Sequence, residues 1–89
     1  SRKTIVKKIP INLILDAMKK HQENSKVQEE GCGALQNLAI NDDNRKTIVE
    51  EGGIKVILDA MKRHNKDENL QEKCRFTLSN LGVKEYDVA

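Results

Sequence analysis

Displaced by 43 residues, the chain lies over itself. Arg2-Lys-Thr-Ile-Val6 falls on Arg45-Lys-Thr-Ile-Val49, and Ile14-Leu-Asp-Ala-Met-Lys19 falls on Ile57-Leu-Asp-Ala-Met-Lys62, both without a gap. His21 meets His64, Gln28-Glu29 meets Gln71-Glu72, Leu35 meets Leu78, and Asn37-Leu38 meets Asn80-Leu81. Eighteen of the 46 superposed positions are identical, far above chance. A period of this length belongs to helical solenoids, whose units cannot bury their apolar faces alone. The expected organisation is one continuous solenoid of two units, residues 1–43 and 44–89.

Each unit reads as three helical pieces. In the second, Asp42, Asp43 and Asn44 offer capping oxygens to a short helix over 44–51, with Ile48 and Val49 as its apolar contact and Gly52 as a left-handed stop. Ser1 stands where Asn44 would in the first unit. The next piece, residues 54–64, sets Ile54, Ile57, Leu58 and Met61 on one stripe at helical spacing, and Ile11, Ile14, Leu15 and Met18 repeat it. The third and longest places Leu70, Cys74, Leu78 and Leu81 on one side, matched by Val27, Gly31, Ala34, Leu35 and Leu38. Ile9-Pro10 replaces Gly52-Gly53, so the way into the second helix is expected to differ between the units. Gly31 and Gly33 each cost about 1 kcal/mol inside a helix relative to Ala, which predicts a close approach by another helix or a ligand.

Composition agrees with an all-α fold. With one Tyr, one Phe and no Trp, a core must come from Leu, Ile, Val, Ala and Met. The net charge of +2 is unevenly spread, with seven Lys/Arg against two Asp/Glu in residues 1–26 and nine against twelve in the remainder. So mixed a surface argues against nucleic acid, which needs a basic stripe along one face, and Lys7, Lys8, Lys19 and Lys20 read as a solvated face. No apolar run approaches the ~20 residues of a membrane span. Two cysteines outside any CxxC or Cys/His spacing point to a reduced, intracellular setting, cytoplasmic or nuclear. A start at Ser-Arg-Lys rather than Met reads as a fragment of something longer.

The string "ALQNLAINDDNRKTIVEEGGIKVIL" resembles the armadillo repeat family, with its Ala-Leu-x-Asn-Leu-Ala helix end, Asn-opened short helix, Gly-Gly turn and Ile-x-x-Ile-Leu helix. The resemblance covers essentially the whole chain and implies a right-handed α-α superhelix of two three-helix repeats. It also implies a protein-interaction scaffold whose third helices line a concave groove for extended peptides of partner proteins, with Asn37 and Asn80 at the positions of the family's asparagine ladder. The chemistry is suitable, because an Asn amide offers a donor and an acceptor to a peptide's C=O and N–H regardless of its side chains. Helices packed at about 10 Å match ~3 residues of strand.

On the same helical face, four residues before each Asn, stand Gly33 and Phe76, and seven before are Glu30 and Lys73. The implied peptide-binding set is therefore Asn37, Asn80, Phe76, Gly33, Lys73 and Glu30. Importin-like armadillo proteins carry Trp at the places of Gly33 and Phe76, forming slots for the lysines of nuclear-localisation signals. Here Gly33 removes one slot entirely and Phe76 offers a weaker one, which argues against nuclear-import cargo.

No catalytic, metal or cofactor site is expected. His21 and His64 occupy equivalent places in successive units, about 10 Å apart by stacking, too far for Zn–N bonds of ~2.1 Å to one ion. Gly31-x-Gly33 lies in a helical pattern and lacks the Lys-Ser/Thr of a phosphate loop. Cys32 and Cys74 are offset by one position in the repeat and read as small core fillers rather than a redox pair. Glu29/Glu30 and Glu50/Glu51 diverge by roughly 100° on exposed helix, and no nucleophile, base and oxyanion donor assemble. An alternative to peptide binding is a structural or oligomerisation segment. Sticky end faces, Ile5 and Val6 with residues 11–15 at one end and residues 70–81 at the other, would then join copies into a homo-oligomer.

Overall fold

The computed structural model describes the backbone of residues 2–86 and the side chains from residue 8 to 86. Five helices and no strand occur among the described residues: α1 Arg2–Lys20, α2 Ser25–Leu38, α3 Asp42–Glu50, α4 Gly53–Arg63 and α5 Glu68–Asn80. The longest expected helices lie side by side, α2 against α5, and this is the broadest helix contact in the molecule.

The two copies of the sequence repeat fold differently at one place. Where three helices were expected in each, the first copy has two, because α1 runs through Pro10 without a break. Proline's fixed φ of about −65° is helical, so the chain continues at the loss of one N–H donor. In the second copy Gly52 takes φ +87°, ends α3 and starts α4. Ile9 could not turn there cheaply, since a β-branched residue at positive φ is strained. Gly53 is required for a different reason, as a β-carbon on it would press on the Ile48 side chain and come within 2.8 Å of the Ile48 carbonyl oxygen.

Helix α3 begins two residues before the expected start. Its cap is Asn41, whose side chain accepts from the Asp43 and Asn44 backbone N–H groups at 2.9 and 3.2 Å. Asn44 is instead buried in the first turn, its Oδ1 without a hydrogen-bond partner among the described residues. Asn24 and Asp67 cap α2 and α5 by accepting from Val27 and Leu70 N–H, each at 3.1 Å. A cap of this kind contributes about 1 kcal/mol.

The core is aliphatic and sulfur-bearing. Ile11, Leu15, Met18, Leu35, Ile48, Ile57, Met61, Leu70 and Leu78 are all buried, each burial stabilising by roughly 1.5–3 kcal/mol. Residues 11, 15, 70 and 78, expected at sticky ends, therefore face inward. Among the described residues, Ile9 and Leu13 on α1, and Ile40 and Val49 around α3, are the large aliphatic side chains left exposed. Ile5 and Val6 lie outside the described side chains.

A pair of glutamines ties each helix end to the next helix. Gln28 Nε2 donates to the Met18 and His21 carbonyls at 3.0 and 2.8 Å, and Gln71 Nε2 donates to those of Met61 and His64 at 2.9 and 3.0 Å. The two clamps are related residue for residue by the 43-residue offset. The carbonyls they hold are among those a helix end leaves unpaired.

Candidate functional site

The face to be judged lies along α2 and α5. Its foundation is the seam where the two helices meet. Cys32 and Cys74 are both 0% exposed, with their sulfurs 2.9 Å apart. One turn further along α5, the buried Thr77 hydroxyl lies 3.0 Å from the Cys32 carbonyl and 2.8 Å from that of Lys73. A single hydroxyl proton serves both acceptors, bridging α2 to the body of α5. Both cysteines are indeed small core residues, yet they also touch one another. Their one-position displacement in the repeat hides this from linear alignment.

Burial and the sulfur contact have an electrostatic effect. The hydrogen bond with Cys74 and then desolvation push the Cys32 thiol well above its ordinary range. Its neutral form is what the seam holds.

Outward from the seam, Gly33 and Lys73 are brought together, since a β-carbon at Gly33 would lie 3.9 Å from Lys73 Nζ and meet nothing nearer. Gly33 is thus open. Gly31, by contrast, is where α1 comes close, a β-carbon there falling 2.6 Å from Met18 Sδ. Lys73 Nζ also sits 3.9 Å from Glu29 Oε1, a loose surface pair worth little in stability. Glu30 is exposed and makes no ion pair among the described residues.

Asn37 and Asn80 both end their helices' exposed face, and neither amide has a hydrogen-bond partner among the described residues. Phe76 is 55% exposed and borders a shallow depression with Glu72, Arg75 and Ser79. Asn80 borders a different one, with Arg45, Lys46, Val49, Glu50, Leu81 and Gly82. The six residues are therefore not gathered in one pocket: Phe76 and Asn80 border separate depressions, and α3 contributes to the second.

Sequence reasoning missed Glu29, Thr77 and the α3 residues Arg45 and Lys46. Glu29 had a signal in its repetition as Glu72. Thr77 had none, because Ala34 occupies its place in the first copy.

His64 Nε2 lies 2.7 Å from the Gln22 carbonyl oxygen, so the ring joins the turn after α4 to the turn after α1. No group of three or more His, Cys, Asp or Glu able to hold a metal occurs among the described residues. No described helix is long and apolar enough to cross a membrane.

Compared with known families, residues 8–88 match the family described as LRRK2 ARM repeat. No curated protein and no solved structure matches the chain.

Proposed function

The chain belongs to the LRRK2 ARM repeat family, and from that premise we propose that it is a protein-interaction scaffold whose α2/α5 face binds extended segments of partner proteins. In this reading residues 1–43 and 44–89 stack as two armadillo repeats of a right-handed superhelix. Helices α2 and α5 then line its concave side. Asn37 and Asn80 clamp the partner's backbone, Phe76 packs on one of its apolar side chains, Gly33 gives it room, and Lys73 and Glu30 select charge. The work is binding, without a reaction or cofactor, and two free thiols suit a reducing intracellular compartment.

One observation carries this reading. Two asparagine amides recur at the repeat spacing on the two helices that pack most closely, and both are exposed and unpaired among the described residues. An Asn retained only to bond a neighbouring helix would be expected to make that bond. Lys73 beside open Gly33 adds a cation at a place where the backbone of a ligand can approach.

The experiment is selection of linear peptides from a random display library on the wild-type chain, followed by titration against Asn37→Ala, Asn80→Ala and the double variant. Each removed amide should weaken binding about fivefold or more, at ~1 kcal/mol per lost hydrogen bond. Helix content by circular dichroism should be unchanged. Peptides that bind the double variant as tightly as wild type would overturn the assignment.

A second reading, self-association, is favoured by a different observation. Leu13 is 65% exposed, whereas Val56, its equivalent at the 43-residue offset, is 7% exposed. Gln28 is buried at 2%, while its equivalent Gln71 is only partly covered. The coverage missing at each end is of the kind that another copy of the same surface supplies.

A further inference from the structure

Peptide binding leaves one reactive arrangement unused. Cys32 and Cys74 are free thiols with sulfurs 2.9 Å apart, on two helices that approach each other along their length. A disulfide bond is about 2.05 Å long, so closure asks the sulfurs to move by less than about 1 Å. The surrounding backbone is already held, because the Thr77 hydroxyl lies against the Cys32 carbonyl. The contact is also not a by-product of the repeat. Gly31 occupies the place equivalent to Cys74, and Arg75 the place equivalent to Cys32.

We propose that Cys32 and Cys74 are a redox modification site, forming a reversible disulfide that staples α2 to α5 when the chain meets hydrogen peroxide. In the first step the thiolate of one cysteine attacks a peroxide oxygen. The O–O bond breaks, leaving a sulfenic acid and a hydroxide that takes up a proton as water. The second cysteine's sulfur then attacks the sulfenic sulfur, the S–S bond forms, and the S–OH oxygen leaves as a second water. Two thiols give up two electrons and two protons, and one peroxide becomes two waters. A thiol reductant reverses the outcome by exchange.

Burial makes the site slow rather than absent. The thiolate is the nucleophile, and both the sulfur contact and desolvation keep Cys32 protonated, so the resting pair is protected. Oxidation requires transient opening of the α2/α5 seam. Once formed, the bond closes a long loop between residues 32 and 74 and stabilises the fold mainly by restricting the unfolded chain. It lies about one and a half helical turns from Asn37 and from Asn80, so it also fixes the spacing of the two amides; only this last consequence rests on the proposed peptide binding.

The test uses the whole chain before and after peroxide, with remaining thiols alkylated in denaturant. Expected are a monomer that takes up no alkyl group and is about 2 Da lighter than the unalkylated reduced chain, a Cys32–Cys74 cross-linked peptide in the non-reducing map, and a thermal midpoint raised by at least about 5 °C. Dithiothreitol should return both mass and midpoint. Cys32→Ser and Cys74→Ser should each show no rise, and the wild-type comparison stands even where a variant folds poorly. Two alkylatable thiols after peroxide treatment would overturn the proposal, as would sulfinic acid products or cross-links only between chains. None of these readings involves a peptide, so failure of the staple is distinguishable from failure of the binding face.

Discussion

Gly31 of α2 faces Met18 of α1 so closely that an added β-carbon would come within 2.6 Å of Met18 Sδ and 2.7 Å of its Cγ. Met18 is itself 1% exposed, and the clash reaches its Cγ near the backbone as well as the flexible end of its side chain. Gly31→Ala should therefore lose more by overpacking than the ~1 kcal/mol it gains in helix propensity, with a net destabilisation of about 1–2 kcal/mol. Gly33→Ala, two residues on and open, should stabilise by up to about 1 kcal/mol. Thermal unfolding of the two variants checks the opposite signs; equal signs would mean that the α1–α2 approach is looser than described.

The glutamine clamps predict an asymmetry. Replacing Gln28 by Met keeps the length of the side chain but leaves the buried Met18 carbonyl without its donor, while the His21 carbonyl keeps only the Asn24 N–H. The expected loss is about 2 kcal/mol, whereas Gln71→Met should cost roughly half as much, since water can reach that partly exposed site. Urea denaturation midpoints for the pair decide it.

Self-association should depend on Leu13. At high micromolar concentration the chain should scatter light as a species heavier than its 10.1 kDa monomer. Leu13→Lys, at an exposed position, should return it to monomer without altering its helix content. A wild-type chain that stays monomeric removes the oligomer reading and leaves the peptide-binding one untouched.

Stability should fall at high pH through Cys32. Its folded-state thiol is raised above the ordinary value of 9.0, so the unfolded chain releases this proton where the folded chain retains it. The contribution is present in full below pH 9.0 and is lost progressively as pH rises above it. The slope of stability against pH in that range should become shallower in Cys32→Ala, and native-state alkylation of Cys32 should be far slower than alkylation in denaturant.

How much of this was legible beforehand varies with the range of the interaction. Helix α4 came within one residue of its expected bounds, and α2 and α5 carry the expected stripes, because apolar spacing and stops are local. The start of α3 was misplaced because Asn41, Asp42, Asp43 and Asn44 are all competent caps, and the choice follows from which backbone N–H groups are turned toward which side chain. The fusion of the first two pieces into α1 was signalled by Ile9-Pro10, although the proline could equally have opened a separate helix. Asn37, Asn80, Phe76, Gly33, Lys73 and Glu30 were named from the family pattern. That Phe76 and Asn80 border separate depressions, with Asn80 beside α3, needed coordinates.

By itself the sequence determined the period, the all-helical character and which face of each helix is apolar, since these depend on spacing and propensity within a single turn or unit. Only the tertiary structure decided that Leu13 is bare while Val56 is covered, that His64 reaches the Gln22 carbonyl, and that Cys32 meets Cys74. The physical reason is the same in each case. Similar local sequences acquire different surroundings when each copy has different neighbours, and burial and contact belong to the pair of surfaces rather than to either segment alone.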